Sequence, residues 1–150
     1  MSAGPFLTIS LWQPWASLVV LGAKHYETRI WKYPQDYRGR RVGIHAAKDS
    51  RYLSLIRTEP FASALANAPW QTPCPLGAIL GSAVLGQAQV AVAANVPLIE
   101  RQFGDFGPGR WAWEMLEPKI FDVPIPYKGR QGFFYSDLEA AQKQSLFDGQ

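Results

Sequence analysis

Residues 22–29 read Gly22-Ala23-Lys24-His25-Tyr26-Glu27-Thr28-Arg29, and Trp12-Gln13-Pro14-Trp15 stands just before them. A lysine, a glutamate and an arginine so close together supply an ammonium, a carboxylate and a planar guanidinium fork. On an extended strand, period two puts Glu27, Arg29 and Trp31 on one face and Tyr26, Thr28 and Ile30 on the other. A Glu and an Arg two apart on that face pair side by side. The pair then holds the fork ready for a phosphate or a base edge. The same pair could simply stitch neighbouring strands, and spacing alone leaves both roles open. Lys24 beside Glu27 also has the makings of general acid–base chemistry, with the carboxylate working on water next to a cation.

The flanking elements must position these groups. Phe6–Ser10 alternates apolar and polar residues, as a short half-buried strand does. A helix is expected at about 14–21, with Pro14 at its first position and Gly22 as its left-handed stop. That stop delivers Lys24 to the mouth of a strand at 25–31, where Tyr, Thr, Ile and Trp favour a pleated surface. Further strands are expected at 41–47, 77–94, 111–116, 121–127 and 133–135. The 77–94 run carries Gly77, Gly81 and Gly86, which suit a bent strand. Residues 50–67 read as one or two helices interrupted by Pro60, and 97–103 as a helical turn or two. GDFGPGR (104–110) and KGRQG (128–132) read as loop and turn, and the tail after Ser136 as a frayed helix. Short strands with Gly/Pro punctuation give an α+β, mainly β class: a small barrel with flanking helices.

The chain has 150 residues, 47% apolar and 18% charged. That length is a prior for one domain over 1–150, with a core at about 6–135 and a tail at 136–150, and the apolar content excludes a wholly disordered chain. No run approaches the roughly 18 apolar residues of a membrane-spanning helix, and the N-terminus lacks the pattern of a secretory signal. A cytoplasmic protein without membrane partners is expected. The single cysteine, Cys74, excludes an intramolecular disulfide framework and a Cys-rich zinc site. The net charge of +3 hides a split: residues 24–57 hold nine basic and three acidic side chains, the remainder six basic and nine acidic. Such a basic block is the electrostatic footprint expected for a polyanion, though an ordinary solvated face would read the same way.

Most catalytic signatures are absent: there is no phosphate-binding loop, no dinucleotide fingerprint and no local nucleophile motif. His25 and His45 are the only histidines, and no spacing places carboxylates with them for a metal. His45 reads as a structural histidine. No cofactor and no metal are expected.

At this point the motifs converge on a family. Leu11-Trp12-Gln13-Pro14-Trp15-Ala16 is followed at the family's distance by Gly22-x-Lys24-x-x-Glu27-x-Arg29. Tyr37-Arg38-Gly39-Arg40, Ile44-His45-Ala46-Ala47-Lys48, Pro75-Leu76-Gly77-Ala78-Ile79-Leu80-Gly81, Gly109-Arg110-Trp111-Ala112-Trp113 and Pro124-Ile125-Pro126-Tyr127-Lys128-Gly129 then arrive in order. From about residue 7 to 135 the chain resembles the ASCH (activating signal cointegrator-1 homology) domain of the PUA-like superfamily, in its compact bacterial and phage form. The resemblance implies a PUA-like pseudo-barrel with a cleft between barrel and N-terminal helix that binds RNA, DNA or a nucleotide. Carried over by motif, the cleft residues are Gln13, Trp15, Lys24, Glu27, Arg29 and Lys48, with Arg110 and Trp111 as further additions.

The favoured function is a nucleic-acid-binding module, for RNA above DNA. Lys24, Arg29, Arg40, Arg41 and Lys48 would meet phosphates, and Trp12, Trp15 and Trp111 would stack on unpaired bases. The alternative is a small hydrolase with Lys24 and Glu27 as catalytic residues, acting on an acylated cytidine nucleoside or on RNA. Some small ASCH proteins are such amidohydrolases, using a lysine, a threonine three residues later and a distant glutamate. Lys24 matches that lysine, but Glu27 stands where the threonine should be, and a carboxylate is not a hydroxyl nucleophile. A protein-docking adaptor is a third reading.

Overall fold

A computed structural model describes residues 5–139 and 142–143. The first strand, β1 (Phe6–Leu11), leads into the short helix α1 (Trp15–Val20). Ala16, Val19 and Val20 are buried against the sheet, Leu18 packs instead with Phe61, Leu65 and Phe103, and Gly22 at φ +79° ends the turn in the conformation expected of it. β2 (Tyr26–Arg29) is shorter than the expected 25–31 strand, and β3 (Arg41–Ala46) follows. The 50–67 segment forms a 3₁₀ turn at Leu53–Arg57 and α2 (Phe61–Ala64), one on each side of Pro60. Then come β4 (Ala78–Val90), α3 (Leu98–Phe103), β5 (Trp111–Pro126) and β6 (Phe133–Ser136).

The six strands form one sheet in the order β2-β5-β4-β3-β1-β6. β1 and β3 are parallel and the other pairs antiparallel. The α+β, mainly β class holds. The sheet is not a hydrogen-bonded barrel, however: β2 and β6 are its two edges. Three side-chain contacts draw the seam together instead. Arg29 Nη2 donates to Ser10 O at 2.9 Å, Trp31 meets Phe133 edge-on at 6.0 Å, and Trp113 stacks on Phe133 at 5.8 Å.

β4 and β5 account for the curl. Their register shifts three times, and each bulge bends the pair and increases its twist. Gly81 packs so tightly on β5 that a Cβ there would lie 2.0 Å from Lys119 O. β5 runs unbroken where two separate segments were expected. Glu117 (φ 47°) and Pro118 fall between the Ser82–Lys119 and Val84–Leu116 pairs, a bulge where proline's missing N–H costs no ladder bond. β1 also departs from a half-buried pattern: Thr8 is fully buried and its Oγ1 bonds Phe6 O and Ser136 Oγ. The main core gathers Leu7, Ile9, Leu11, Ile44, Leu80, Leu85, Trp113 and their neighbours between the curled sheet and α1. The helix expected after 136 falls for the greater part outside the described residues.

Candidate nucleic-acid interface

A cleft of about 1120 Å³ opens along the seam, between α1 with the 50–55 segment on one side and β2 with the 128–132 turn on the other. Of the expected site residues, the structure brings Trp15, Lys24, Glu27, Arg29, Lys48 and Arg110 to its walls. Gln13, Arg41 and Trp111 lie elsewhere, each for a reason visible in its contacts.

Gln13 is fully buried and serves the start of α1. Its Oε1 accepts from Ser17 N at 2.9 Å, while Nε2 donates to Ser17 Oγ and to Pro75 O. The amide thus satisfies an orphan donor of the first turn, a task that Pro14 at the cap position cannot perform. Arg41 is tied to the β4–β5 face, where it donates to Ser82 Oγ and Glu117 O and pairs with the Glu117 carboxylate. Trp111, opposite Arg29 in the β2–β5 ladder, packs on the core edge with Lys32 Nζ 4.9 Å above its ring.

The inner wall is a linked set of charges. Lys24 Nζ donates to Tyr26 O and lies 3.6 Å from Glu27 Oε1, while Arg29 Nε donates to Glu27 Oε2 at 2.7 Å. One carboxylate therefore bridges two cations. Lys24 is only 2% exposed, and burial pulls its ammonium below the ordinary 10.5 against the opposing pull of Glu27 and Glu100. The Arg29 guanidinium lies 5.9 Å from both the Trp31 and Trp113 rings, which hold its plane. Arg110 Nη2 donates to Thr28 O at 2.9 Å, so the 104–110 loop closes over β2.

Glu100, on α3, escaped the sequence reading. Both its oxygens accept from His25 N, and Oε2 also accepts from Tyr26 N, all at 3.0–3.1 Å. It thereby fixes the turn that delivers Lys24. The residue is 1% exposed and 75 positions from His25, and nothing local in the sequence marks it.

The outer wall is aromatic and cationic. Tyr52 stands between Trp12 and Trp15, its ring centroid 5.3 and 5.1 Å from theirs, and Arg51 lies 4.5 Å over Trp12. Trp15 Nε1–H has no hydrogen-bond partner among the described residues. Exposed Lys48, Lys128 and Arg130 complete the rim. Sequence reasoning missed Tyr52, Lys128 and Arg130; the two cations of KGRQG were legible only as part of a turn.

The basic block of 24–57 is therefore not one face. Lys24 is buried, Arg29 and Arg51 are paired with carboxylates, Arg41 is on the far strands, and Arg40 lies over Tyr37. Among the described residues no helix is long and apolar enough to cross a membrane.

The fold has solved counterparts. The crystal structure of the ASCH protein from Zymomonas mobilis superposes with a TM-score of 0.51 at 18% identity, covering 95% of this chain and 93% of that one. Two single-substitution variants of the same protein match with TM-scores of 0.52 at 18% and 19% identity, each over 95% of this chain. At these identities the likeness concerns the fold. A comparison with curated proteins finds no match. The sequence profile of the ASCH domain matches residues 9–96, which hold α1, β2, the Lys24-Glu27-Arg29 cluster and most of the cleft's aromatic wall, and the chain therefore belongs to the ASCH domain family.

Proposed function

We propose that the chain binds single-stranded or modified RNA in this cleft. The observation that carries the reading is the pairing of an aromatic wall, Trp12-Tyr52-Trp15, with exposed cations at the same mouth. Unpaired bases stack on aromatic rings, and cations track the backbone that joins them. The Arg29 fork held by Glu27 on the inner wall, and the indole donor of Trp15 in the aromatic wall, add fixed polar groups. The hydrolytic reading of Lys24 and Glu27 fits this geometry less well, because both Glu27 oxygens are engaged by cations.

The test is fluorescence anisotropy with short single-stranded RNA, matched DNA and free nucleotides at about 50 and 200 mM salt. Binding of RNA that is stronger than that of DNA, weakens with salt and is reduced in Trp12→Ala supports the reading. No binding at low salt, or an affinity indifferent to salt, removes it.

A further inference from the structure

One polar constellation in the cleft is not used by the binding reading. Ser10 Oγ lies 2.7 Å from His45 Nδ1, and His45 Nε2 lies 2.8 Å from Tyr127 O. A carbonyl only accepts, so Nε2 carries the proton and donates to Tyr127 O. Burial holds the imidazole below its ordinary 6.5, so near neutral pH it is uncharged and Nδ1 is a free base accepting from the Ser10 hydroxyl. The ring is clamped: Phe134 meets it edge-on at 5.6 Å, and Gly129 packs so close that a Cβ there would lie 2.2 Å from it. His45 is 3% exposed, whereas Ser10 is only partly buried, and both line the cleft. Arg29 Nη2 donates to the Ser10 backbone carbonyl at 2.9 Å and so fixes the chain that carries the hydroxyl.

We propose that Ser10 is a nucleophile and His45 its general base, cleaving a carboxylic ester carried on a ribose hydroxyl of the bound nucleotide. The constellation has the three parts such chemistry needs: nucleophile, base, and a group that orients the base. The ribose assignment rests on the proposed nucleic-acid reading. Ser10 Oγ bonds to the ester carbonyl carbon as its proton passes to His45 Nδ1. The tetrahedral intermediate breaks its bond to the ribose oxygen, which takes that proton and leaves as the alcohol. Water then attacks the acyl-Ser10 carbonyl, its proton passing to Nδ1 and on to the departing Ser10 oxygen, releasing the carboxylic acid. While Nδ1 is protonated, Nε2–H keeps its bond to Tyr127 O.

The test incubates the full chain with p-nitrophenyl acetate and with an RNA oligonucleotide acetylated at its 3′ hydroxyl. Intact mass and peptide mapping follow the acetyl group, and anisotropy follows RNA binding by the same preparation. Acetyl-Ser10 from both reagents is the expected result, with Ser10→Ala unlabelled and His45→Asn at least about 100-fold slower. The wild-type acylation rate should rise with pH to a plateau, its midpoint below 6.5, a profile a merely structural His45 would not give. Burial and the Tyr127 carbonyl set that midpoint; Ser10 from β1 faces Nδ1, and Lys48, Asp49, Lys128 and Arg130 are charged side chains of the same cleft. Mapping the wild-type adduct keeps the test decisive even where a variant fails to fold. An acetyl group on another residue, or neither acetyl-Ser10 nor cleavage of either ester while RNA binds, overturns the Ser10–His45 proposal and leaves the binding reading standing. Acetyl-Ser10 from p-nitrophenyl acetate without RNA binding supports the pair and removes the binding reading and the ribose substrate.

Discussion

The two walls of the cleft are both cationic, yet they use charge in opposite ways. On the inner wall Lys24 is withdrawn from solvent, Arg29 is partly so, and the two share one carboxylate. On the rim Lys48, Lys128 and Arg130 stand exposed. Charges of the first kind are held by their neighbours and lend shape: a fork at a fixed angle and a curl closed at a fixed place. Charges of the second kind attract a polyanion, and counterion release makes their contribution depend on salt. Net charge adds the two kinds together. Only burial tells them apart.

Substitutions at Glu27 should separate the walls most sharply. Glu27→Ala leaves Lys24 and Arg29 without their common acceptor, and breaking a buried pair costs about 3–5 kcal/mol. Chemical denaturation should show a loss of that size; an unchanged midpoint would mean the inner wall is not a structural unit. Trp12→Ala should cost about 1–3 kcal/mol of RNA affinity, the worth of one stacked base, with little change in folding stability. Lys128→Ala and Arg130→Ala should each lower the slope of log affinity against log salt by about one where the side chain meets a phosphate, and shift stability by no more than about 0.5 kcal/mol.

Acidification gives a smaller effect. The folded pKa of His45 lies below 6.5, so below that value the unfolded chain takes up more protons there than the native state does. The His45 contribution is therefore fully present above about 6.5 and is lost as pH falls toward the folded pKa. Thermal melts across that window should show a decline that His45→Asn flattens. Arg41→Ala should leave RNA affinity and its salt slope unchanged, since Arg41 is engaged with Ser82 and Glu117 outside the cleft. A loss of affinity there would extend the interface onto the β4–β5 face.

Much of this was legible in the chain itself. Gly22 marked the helix stop, period two set Glu27 and Arg29 side by side, and Gly81 and Gly86 announced a bent strand. These signals are local, and local physics decides them. Gln13 shows the limit: a glutamine beside a helix start reads equally as ligand contact or as cap, and only the position of Pro75 O and Ser17 settles it. The same limit hid Glu100, whose partners are 75 positions away, and the Ser10–His45 pair, which a parallel β1–β3 ladder sets side by side. The division of 111–127 into two strands failed in the other direction: Pro118 sits within one continuous strand, at a bulge that removes the need for its N–H.

The open seam also has a mechanical consequence. A barrel closed by a strand ladder widens only by losing several backbone hydrogen bonds together. Here the loop of the fold is fastened by aromatic contacts and by one guanidinium on one carbonyl, Arg29 on Ser10. The width of the cleft is thus set by a latch of side chains. A phosphate that competes for the Arg29 fork would draw on that latch directly, so that filling the cleft and loosening it become a single event.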